Sequence, residues 1–213
     1  MKLYYNPMSS FSQKVLIAFK EKGATFEAEV INLMDPGSRE SLAAVYPLCK
    51  IPLLVRDDGA VIPESGIIIE YLDSVFTGGQ QLIPIDPELA RQVRCAERMN
   101  DAYLNTPVRD LLVQGMQPEA ARDQALIEKS GETLTTMYKL LDQQFADNNW
   151  CAGAEFSMAD CACLPALFYA QMVFPFADYP NITAYYERGC ARPSWAAVKA
   201  DAESALAASG LLD

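Results

Sequence analysis

The chain has 213 residues, of which 51% are hydrophobic and 21% charged, and its formal net charge is −11. These proportions predict a folded globular protein with enough apolar material for a core. The negative charge disfavours a nucleic-acid or anionic-membrane partner, because both bind basic surfaces. Histidine is absent. This excludes His-based catalytic triads and His-rich metal sites, and we expect no metal.

The amino terminus and the cysteines bear on location. The first ten residues, MKLYYNPMSS, contain no apolar run typical of a signal peptide. The most apolar stretch, 158–173, is interrupted by Asp160, Pro165 and Gln171, and it is too short and polar to span a membrane. Six dispersed cysteines in such a chain are more typical of free thiols than of a disulfide framework. We therefore expect a cytoplasmic protein.

The first 80 residues alternate between strand-like and helix-like patterns. In chain order the patterns predict a strand at 2–5, a helix at 12–22, a strand at 26–32, a weak helix at 38–45, strands at 51–55 and 60–63, and a helix at 65–75. Asp58-Gly59 is a strong hairpin signal between the last two strands. This order indicates a mixed α/β domain over 1–78.

The rest of the chain carries helical spacing alone. Gly78-Gly79 and the prolines at 84 and 87 indicate a linker. Helices are predicted at 87–114, 119–147, 158–173, 182–191 and 195–207. We therefore predict an all-helical second domain at 85–213.

Four stretches occur in a characteristic order: SSFSQKV at 9–15, YPLCKIPLL at 46–54, PESGIIIEYL at 63–72 and AGAEFSMAD at 152–160. They resemble, in turn, the patterns S-x-x-x-x-[RK]-V, N-P-x-G-K-[IV]-P-x-L, E-S-x-x-I-x-x-Y-L and G-x-x-[FP]-[ST]-x-A-D. Together they make the chain similar to the serine-type soluble glutathione transferases. The resemblance implies a thioredoxin-like α/β domain followed by an all-α domain.

The resemblance implies that Ser9 is the catalytic residue. Ser9 lies where a predicted strand meets a predicted helix, and the free N–H groups and partial positive charge of a helix start favour an anion. A thiol with a pKa of about 8.5 is roughly 3% ionised at pH 7. A hydroxyl donor and a helix start would favour the thiolate without a proton-accepting base. Ser10 is the second candidate and Tyr5 the third, and from the residues alone helix capping is the commoner role of such serines.

The resemblance also implies where glutathione binds. The Ile51-Pro52 bond is expected to be cis, and the Ile51 backbone is expected to pair with the cysteinyl part of the tripeptide. Ser65 is expected to bind the γ-glutamyl carboxylate at a helix start and Glu64 the amino group, with capping as the alternative for both. Lys50 is a candidate partner for a carboxylate.

A second-substrate pocket is expected to be apolar and to lie between the two domains. Its candidate lining residues, for which core packing is the alternative, are Phe11, Tyr103, Pro107 and Tyr169. Phe11 also stands where zeta-type relatives have Cys in an S-S-C loop, which disfavours the isomerase activity of that class. Tyr46 and Cys49 replace the Asn and Gly of the second motif, which leaves the shape of that loop open.

The fourth motif has a structural interpretation. Ser157 and Asp160 form S-x-x-D ahead of an apolar helix, which predicts a capping box. Phe156 and Cys161 are placed for the accompanying hydrophobic staple. We assign this motif no catalytic role.

Together these patterns predict a homodimeric glutathione transferase that adds the thiolate of glutathione to a small electrophile. Glutathione is its co-substrate and no cofactor is expected. Two alternatives stay open. One is a glutathione-dependent isomerase or peroxidase on the same scaffold, and the other is a non-enzymatic binding protein.

Overall fold

A computed structural model describes residues 1–210 of the chain. The chain divides into two units, the first formed by Met1–Leu82 with residues 196–210, and the second by Ile83–Trp195. The first unit holds a four-stranded mixed sheet with helices and the second is helical. This confirms the predicted fold class. The last residues of the predicted second domain, 211–213, lie outside the described residues.

The first unit begins with an alternation of strands and helices. Its elements are β1 (Lys2–Tyr5), α1 (Ser10–Lys22), β2 (Glu27–Val30), α2 (Pro36–Val45), β3 (Leu53–Val55), β4 (Val61–Pro63) and α3 (Ser65–Val75). The strand order is β2-β1-β3-β4. β1 runs parallel to β2 and antiparallel to β3, and β3 runs antiparallel to β4. The predicted hairpin is therefore present between β3 and β4.

Helix α1 is delimited by its caps. The Ser9 side chain accepts from the Ser12 N–H, and the helix starts at Ser10, two residues before the predicted start. Gly23 ends it with φ 61°, a left-handed conformation that glycine adopts without steric cost. Val15, Ile17 and other apolar side chains of α1 are fully buried in the core.

A buried ion pair joins the ends of α1 and α3. The Lys22 ammonium donates to Asp73 Oδ1 over 2.9 Å and to the Gln80 carbonyl over 3.1 Å. The Leu82 N–H donates to the same Asp73 oxygen over 3.0 Å. Gly79 has φ 72°, and a Cβ there would lie 2.1 Å from the Glu21 carbonyl oxygen. The segment predicted as a linker is thus packed against the end of α1.

The second unit holds a run of helices. They are α4 (Pro87–Met99), a π-helical segment (Asn100–Asn105), α5 (Thr106–Gly115), a 3₁₀ turn (Glu119–Ala121), α6 (Gln124–Asp147), α7 (Met158–Val173) and α8 (Pro180–Cys190). Helix α9 (Pro193–Ser209) starts in this unit and continues into the chain grouped with the first. The helix predicted at 119–147 starts instead at Gln124, because Asp123 caps it by accepting from the Leu126 N–H.

The helix predicted at 87–114 is interrupted by the π-helical segment. The Thr106 N–H donates to the carbonyl of Asp101, five residues earlier. Pro107 follows, and a proline ring in an α-helix collides with the carbonyl four residues before it and has no N–H to donate. A wider turn at this point accommodates the ring within a continuing helical path.

The predicted capping box is present at the start of α7. Asp160 is fully buried and its carboxylate accepts from the N–H and the hydroxyl of Ser157, over 2.9 and 3.0 Å. It also accepts from the Cys151 N–H over 2.8 Å and from the Tyr185 hydroxyl over 3.0 Å. Burial raises the pKa of Asp160, and the donors from Cys151 and Ser157 act in the opposite direction. The carboxylate therefore joins three segments of the second unit.

The structure also bears on the expected absence of a membrane-spanning helix and of a disulfide framework. Among residues 1–210, no helix combines the length and the apolar character needed to cross a membrane. All six cysteines lie within this part of the chain, and they form no disulfide bond there.

We predict that Asp160→Ala destabilises the protein by about 3 kcal/mol or more, because it leaves several buried donors unsatisfied. Ser157→Ala removes one of the four hydrogen bonds and should cost about 1 kcal/mol. Ser74→Ala, which removes an exposed hydroxyl bonded within its own helix, is the control and should stay within about 0.5 kcal/mol of wild type. Chemical denaturation measures all three. Equal midpoints for Asp160→Ala and Ser74→Ala would contradict this role.

We predict that Lys22→Met destabilises the protein by about 3 kcal/mol, because it leaves the Asp73 carboxylate buried without its counter-charge. The double variant Lys22→Met/Asp73→Leu should be less destabilised than Lys22→Met alone. Lys199→Met removes a more exposed pair with Glu203 and should cost less than about 1 kcal/mol. Denaturant unfolding of wild type and the three variants tests this, and a double variant no more stable than Lys22→Met would be evidence against the pair.

Candidate functional site

Strand register brings the predicted glutathione-binding segments to one end of the sheet. Leu53, the first residue of β3, is paired with Tyr4 of β1 on one side and with Pro63 of β4 on the other. Both pairings are antiparallel, so the segment before Leu53 lies at the end where β1 and β4 finish. Residues 50–52, the loop after Tyr5 and the start of α3 after Pro63 therefore meet at this end.

Ser9 stands at the start of α1 with its hydroxyl oriented by the helix. Its backbone is extended, with φ −85° and ψ 117°, and its Oγ accepts from the Ser12 N–H over 3.3 Å. A hydroxyl that accepts one hydrogen bond still has its own hydrogen to donate. The capping role and a donor role at Ser9 are therefore compatible.

Asn6 shapes the loop that holds Ser9, and sequence reasoning missed it. Its side-chain N–H donates to the Ile31 carbonyl over 2.8 Å, and its Oδ1 accepts from the Met8 N–H over 2.9 Å. The Ser9 N–H donates to the Asn6 carbonyl over 3.0 Å. Asn-Pro dipeptides are typical of turns, so the pair at 6–7 could have indicated from the sequence that Asn6 shapes this loop.

The other two thiol candidates lie on either side of this loop. Ser10 is the first residue of α1 and is half-buried. Tyr5 ends β1 and its ring packs edge-on against Phe26. Burial, and secondarily the charge of Asp201, raises the pKa of Tyr5. A phenol of raised pKa stays protonated at neutral pH, so Tyr5 has a hydrogen to donate and remains the third candidate.

The segment before β3 has the expected backbone form. The Ile51–Pro52 peptide bond is cis, which confirms the expectation. Pro52 is buried, Ile51 packs at the edge of the apolar cluster of Ile31, Leu42 and Leu53, and Lys50 is exposed. Cys49 has φ 49°, so it adopts the left-handed conformation that favours the glycine it replaces. The loop thus takes this conformation despite the substitution.

Glu64 and Ser65 form the start of α3. Glu64 has φ 69° and ψ 120°, a strained conformation for a residue with a side chain, and its side chain makes no capping hydrogen bond. The carboxylate is exposed, while Ser65 is buried. The first N–H groups of α3 are therefore left without a side-chain cap. Such groups bind carboxylates and phosphates.

The candidates for the second-substrate pocket are divided between the units. Phe11 is a half-buried residue of α1 in the first unit. In the second unit, Pro107 is buried in α5, and Tyr169 is buried in α7 with its ring 4.9 Å from that of Phe168. Tyr103 lies in the π-helical segment and is 53% exposed. Tyr169 thus has the packing of a core residue, and the pocket itself stays a prediction.

The arrangement has the electrostatic character of an anion site. Two helix starts, those of α1 and α3, lie at the same end of the sheet, and each contributes N–H groups and a partial positive charge. Lys50 adds a cation beside them, and no ion pair forms on Lys50 within residues 1–210. Such a site can hold a peptide carboxylate at α3 and a thiolate at α1 without an imidazole.

The chain matches two known families of domains. The family described as "Glutathione S-transferase, N-terminal domain" matches residues 8–75, and "Glutathione S-transferase, C-terminal domain" matches residues 104–193. Glutathione S-transferase 3 of Zea mays is 31% identical over 204 residues, which cover 92% of this chain and 91% of the relative. A maleylacetoacetate isomerase of Pseudomonas aeruginosa is 27% identical over 203 residues, which cover 92% and 93%.

Solved structures give the same result. A glutathione S-transferase of Methylobacillus flagellatus, crystallised with glutathione bound, aligns with a TM-score of 0.84 at 31% identity, covering 92% of this chain and 98% of that one. The two domain families, the relatives that match over most of their length and the shared fold all indicate the same family. This chain belongs to the glutathione S-transferase family.

Proposed function

We propose that the protein is a glutathione transferase of the serine type, in which Ser9 stabilises the thiolate of bound glutathione. The observation that carries this proposal is the position of Ser9 at the start of α1, with its hydroxyl oxygen held by the Ser12 N–H. Membership of the family supports glutathione as the co-substrate. The first domain, 1–78, binds glutathione, and the second, 85–213, contributes the pocket for the electrophile.

The binding step uses the two helix starts. The γ-glutamyl carboxylate lies at the start of α3, where Ser65 donates its N–H and hydroxyl, and Glu64 accepts from the amino group. The Ile51 backbone pairs with the cysteinyl part, and Lys50 meets a carboxylate of the tripeptide. The uncapped start of α3 supports this placement.

The chemical step needs a thiolate. The thiol proton leaves to solvent, and the Ser9 hydroxyl and the α1 dipole stabilise the resulting anion. The sulfur lone pair then forms a bond to the electrophilic carbon of the second substrate. In a substitution, the leaving group departs with the electron pair of the bond that breaks; in an addition, the π electrons of the conjugated double bond move onto its electron-withdrawing group, and solvent returns a proton. Ser10 and Tyr5 are the alternatives to Ser9.

We propose that the enzyme works as a homodimer in the cytoplasm and detoxifies small electrophiles. An apolar stripe on α3 supports the dimer, because Ile67, Tyr71 and Val75 recur at intervals of four residues on one face of the helix. Ile67 is 52% and Val75 48% exposed. Exposed apolar stripes of this kind mark protein interfaces.

The main test of the mechanism is the ionisation of bound glutathione. Ser9→Ala should raise the apparent thiol pKa by about one to two units, because hydrogen bonds to charged groups are worth about 1.5–3 kcal/mol. Turnover at pH 7 should then fall by about tenfold or more, while glutathione affinity changes much less. Thiolate absorbance followed against pH is the measurement.

Capping must be separated from catalysis in this test. Ser9→Gly also removes the hydroxyl, but glycine at an N-cap costs helix stability only a few tenths of a kcal/mol. It should therefore shift the thiol pKa as Ser9→Ala does, with less effect on unfolding. Ser65→Ala is the reverse control and should weaken glutathione binding with little effect on the thiol pKa. An unshifted titration in both Ser9 variants would pass the role to Ser10 or Tyr5.

The dimer is tested by light scattering. Wild type should have twice the 23.5 kDa mass of the chain, and Ile67→Asp/Val75→Asp should yield the 23.5 kDa species, because two buried carboxylates oppose association. Met34→Asp places the same charge on a side chain that is 90% exposed, and it should leave the mass unchanged. A wild-type mass of 23.5 kDa at micromolar concentration contradicts the dimer.

A further inference from the structure

A groove lies in the first unit beside the loop that holds Ser9, and Tyr5 and Pro7 are among its lining residues. It has a volume of about 540 Å³, and neither Ser9 nor residues 50–52 nor 64–65 line it. Its walls come from the end of β1, the later turns of α1, the segment before β2, and α9. This volume is within the range of small-molecule sites, roughly 300–1,000 Å³.

The floor of the groove is aromatic. Leu16 and Phe19 are buried beneath it, and the Phe19 and Phe26 ring centroids lie 4.5 Å apart. Tyr5 meets Phe26 edge-on at 6.0 Å. Three aromatic rings and an aliphatic side chain on one surface favour a flat aromatic ligand, which packs against ring faces and edges.

Two opposite charges stand at the rim. Lys20 of α1 and Asp201 of α9 are exposed and both line the groove. Neither forms an ion pair within the described part of the chain, residues 1–210, so the two are more than 4.0 Å apart. Tyr5 and Asp201 line the same groove, and the charge of Asp201 adds to the effect of burial in raising the pKa of Tyr5. The groove thus combines an aromatic floor with a separated cation and anion.

We propose that this groove binds a small aromatic zwitterion of the aromatic α-amino acid class. The ring lies on Phe19 and Phe26, the ammonium group donates to Asp201, and the carboxylate accepts from Lys20. A ligand with one charge would pair with one rim residue and meet the other as a like charge. A ligand with both charges, close together beside a ring, satisfies the two residues at once.

Three compounds with the same ring test the charge requirement. L-Tryptophan carries both charges, tryptamine carries the ammonium alone and indole-3-propionate carries the carboxylate alone. Calorimetry on the full-length protein should show saturable binding of L-tryptophan, with each of the other two weaker by about tenfold, since one charged hydrogen bond is lost. Equal binding of all three, or no saturable binding of L-tryptophan, overturns the proposal.

Two variants assign the charges to residues. Asp201→Asn should weaken L-tryptophan binding about tenfold and abolish its advantage over indole-3-propionate, and Lys20→Gln should abolish its advantage over tryptamine. Glu40→Gln and Lys129→Gln make the same charge changes on exposed residues outside the groove, and they should leave binding unchanged. Wild-type affinity in both Asp201→Asn and Lys20→Gln would overturn the assignment.

A last measurement separates this groove from the glutathione site. L-Tryptophan affinity should be the same with and without saturating glutathione, and Asp201→Asn should keep wild-type glutathione turnover. Displacement of L-tryptophan by glutathione would place its binding in the glutathione site and overturn the proposal. If the protein showed no transferase activity but bound L-tryptophan as described, the proposed function would fail and the proposal for this groove would stand.

Discussion

The pairing of β3 with both of its neighbours is the constraint on which the candidate site depends. Leu53 is fully buried and lies opposite Tyr4 on one side and Pro63 on the other. Leu54, whose side chain points to the opposite face of the sheet, is also fully buried, so a slip of one residue in either pairing would disturb the packing on both faces. The register is therefore fixed by burial, and with it the meeting of three chain segments that are far apart in sequence.

At the end of the sheet where the candidate site lies, the backbone contributes to the positive electrostatic potential as much as the side chains do. The chain has no histidine and a net charge of −11, yet two helix starts give the site a local positive character. Two carboxylates buried elsewhere in the fold are stabilised by hydrogen-bond donors from neighbouring segments. Asp160 accepts hydrogen bonds from four neutral donors, and Asp73 accepts from an ammonium and an N–H, so both carboxylates are satisfied within the fold.

Local patterns predicted the fold class and most helices, because each depends on neighbouring residues, whereas the segments of the candidate site came from the resemblance of short motifs. Ser9 as a cap, the hairpin at Asp58-Gly59 and the Ser157–Asp160 box are all of this kind. The break at 100–105 was missed, although Pro107 is visible in the sequence, because helical periodicity continues through it. Periodicity reports which face is buried and not which carbonyl accepts each N–H.

Long-range features could not be predicted in this way. The Lys22–Asp73 pair joins residues 51 positions apart, and the extra contacts of Asp160 with Cys151 and Tyr185 come from other segments. The aromatic groove depends on α9 lying beside α1 within the first unit, which no local pattern indicates. The left-handed Cys49 was also unforeseen, since the motif has glycine there and the substitution gave no sign that the conformation persists.

The Lys22–Asp73 pair has a consequence far from where it lies. Helix α1 has 13 residues, so Lys22 is about 20 Å from Ser9 along the helix axis. Helices α1 and α3 both start at the site, and the pair joins them at their opposite ends. It thereby limits how far the two helices can rotate or slide against each other, and so how much the spacing of their two N-termini fluctuates. A residue pair that touches no ligand thus helps to set the entropy lost when one small molecule is held at both N-termini.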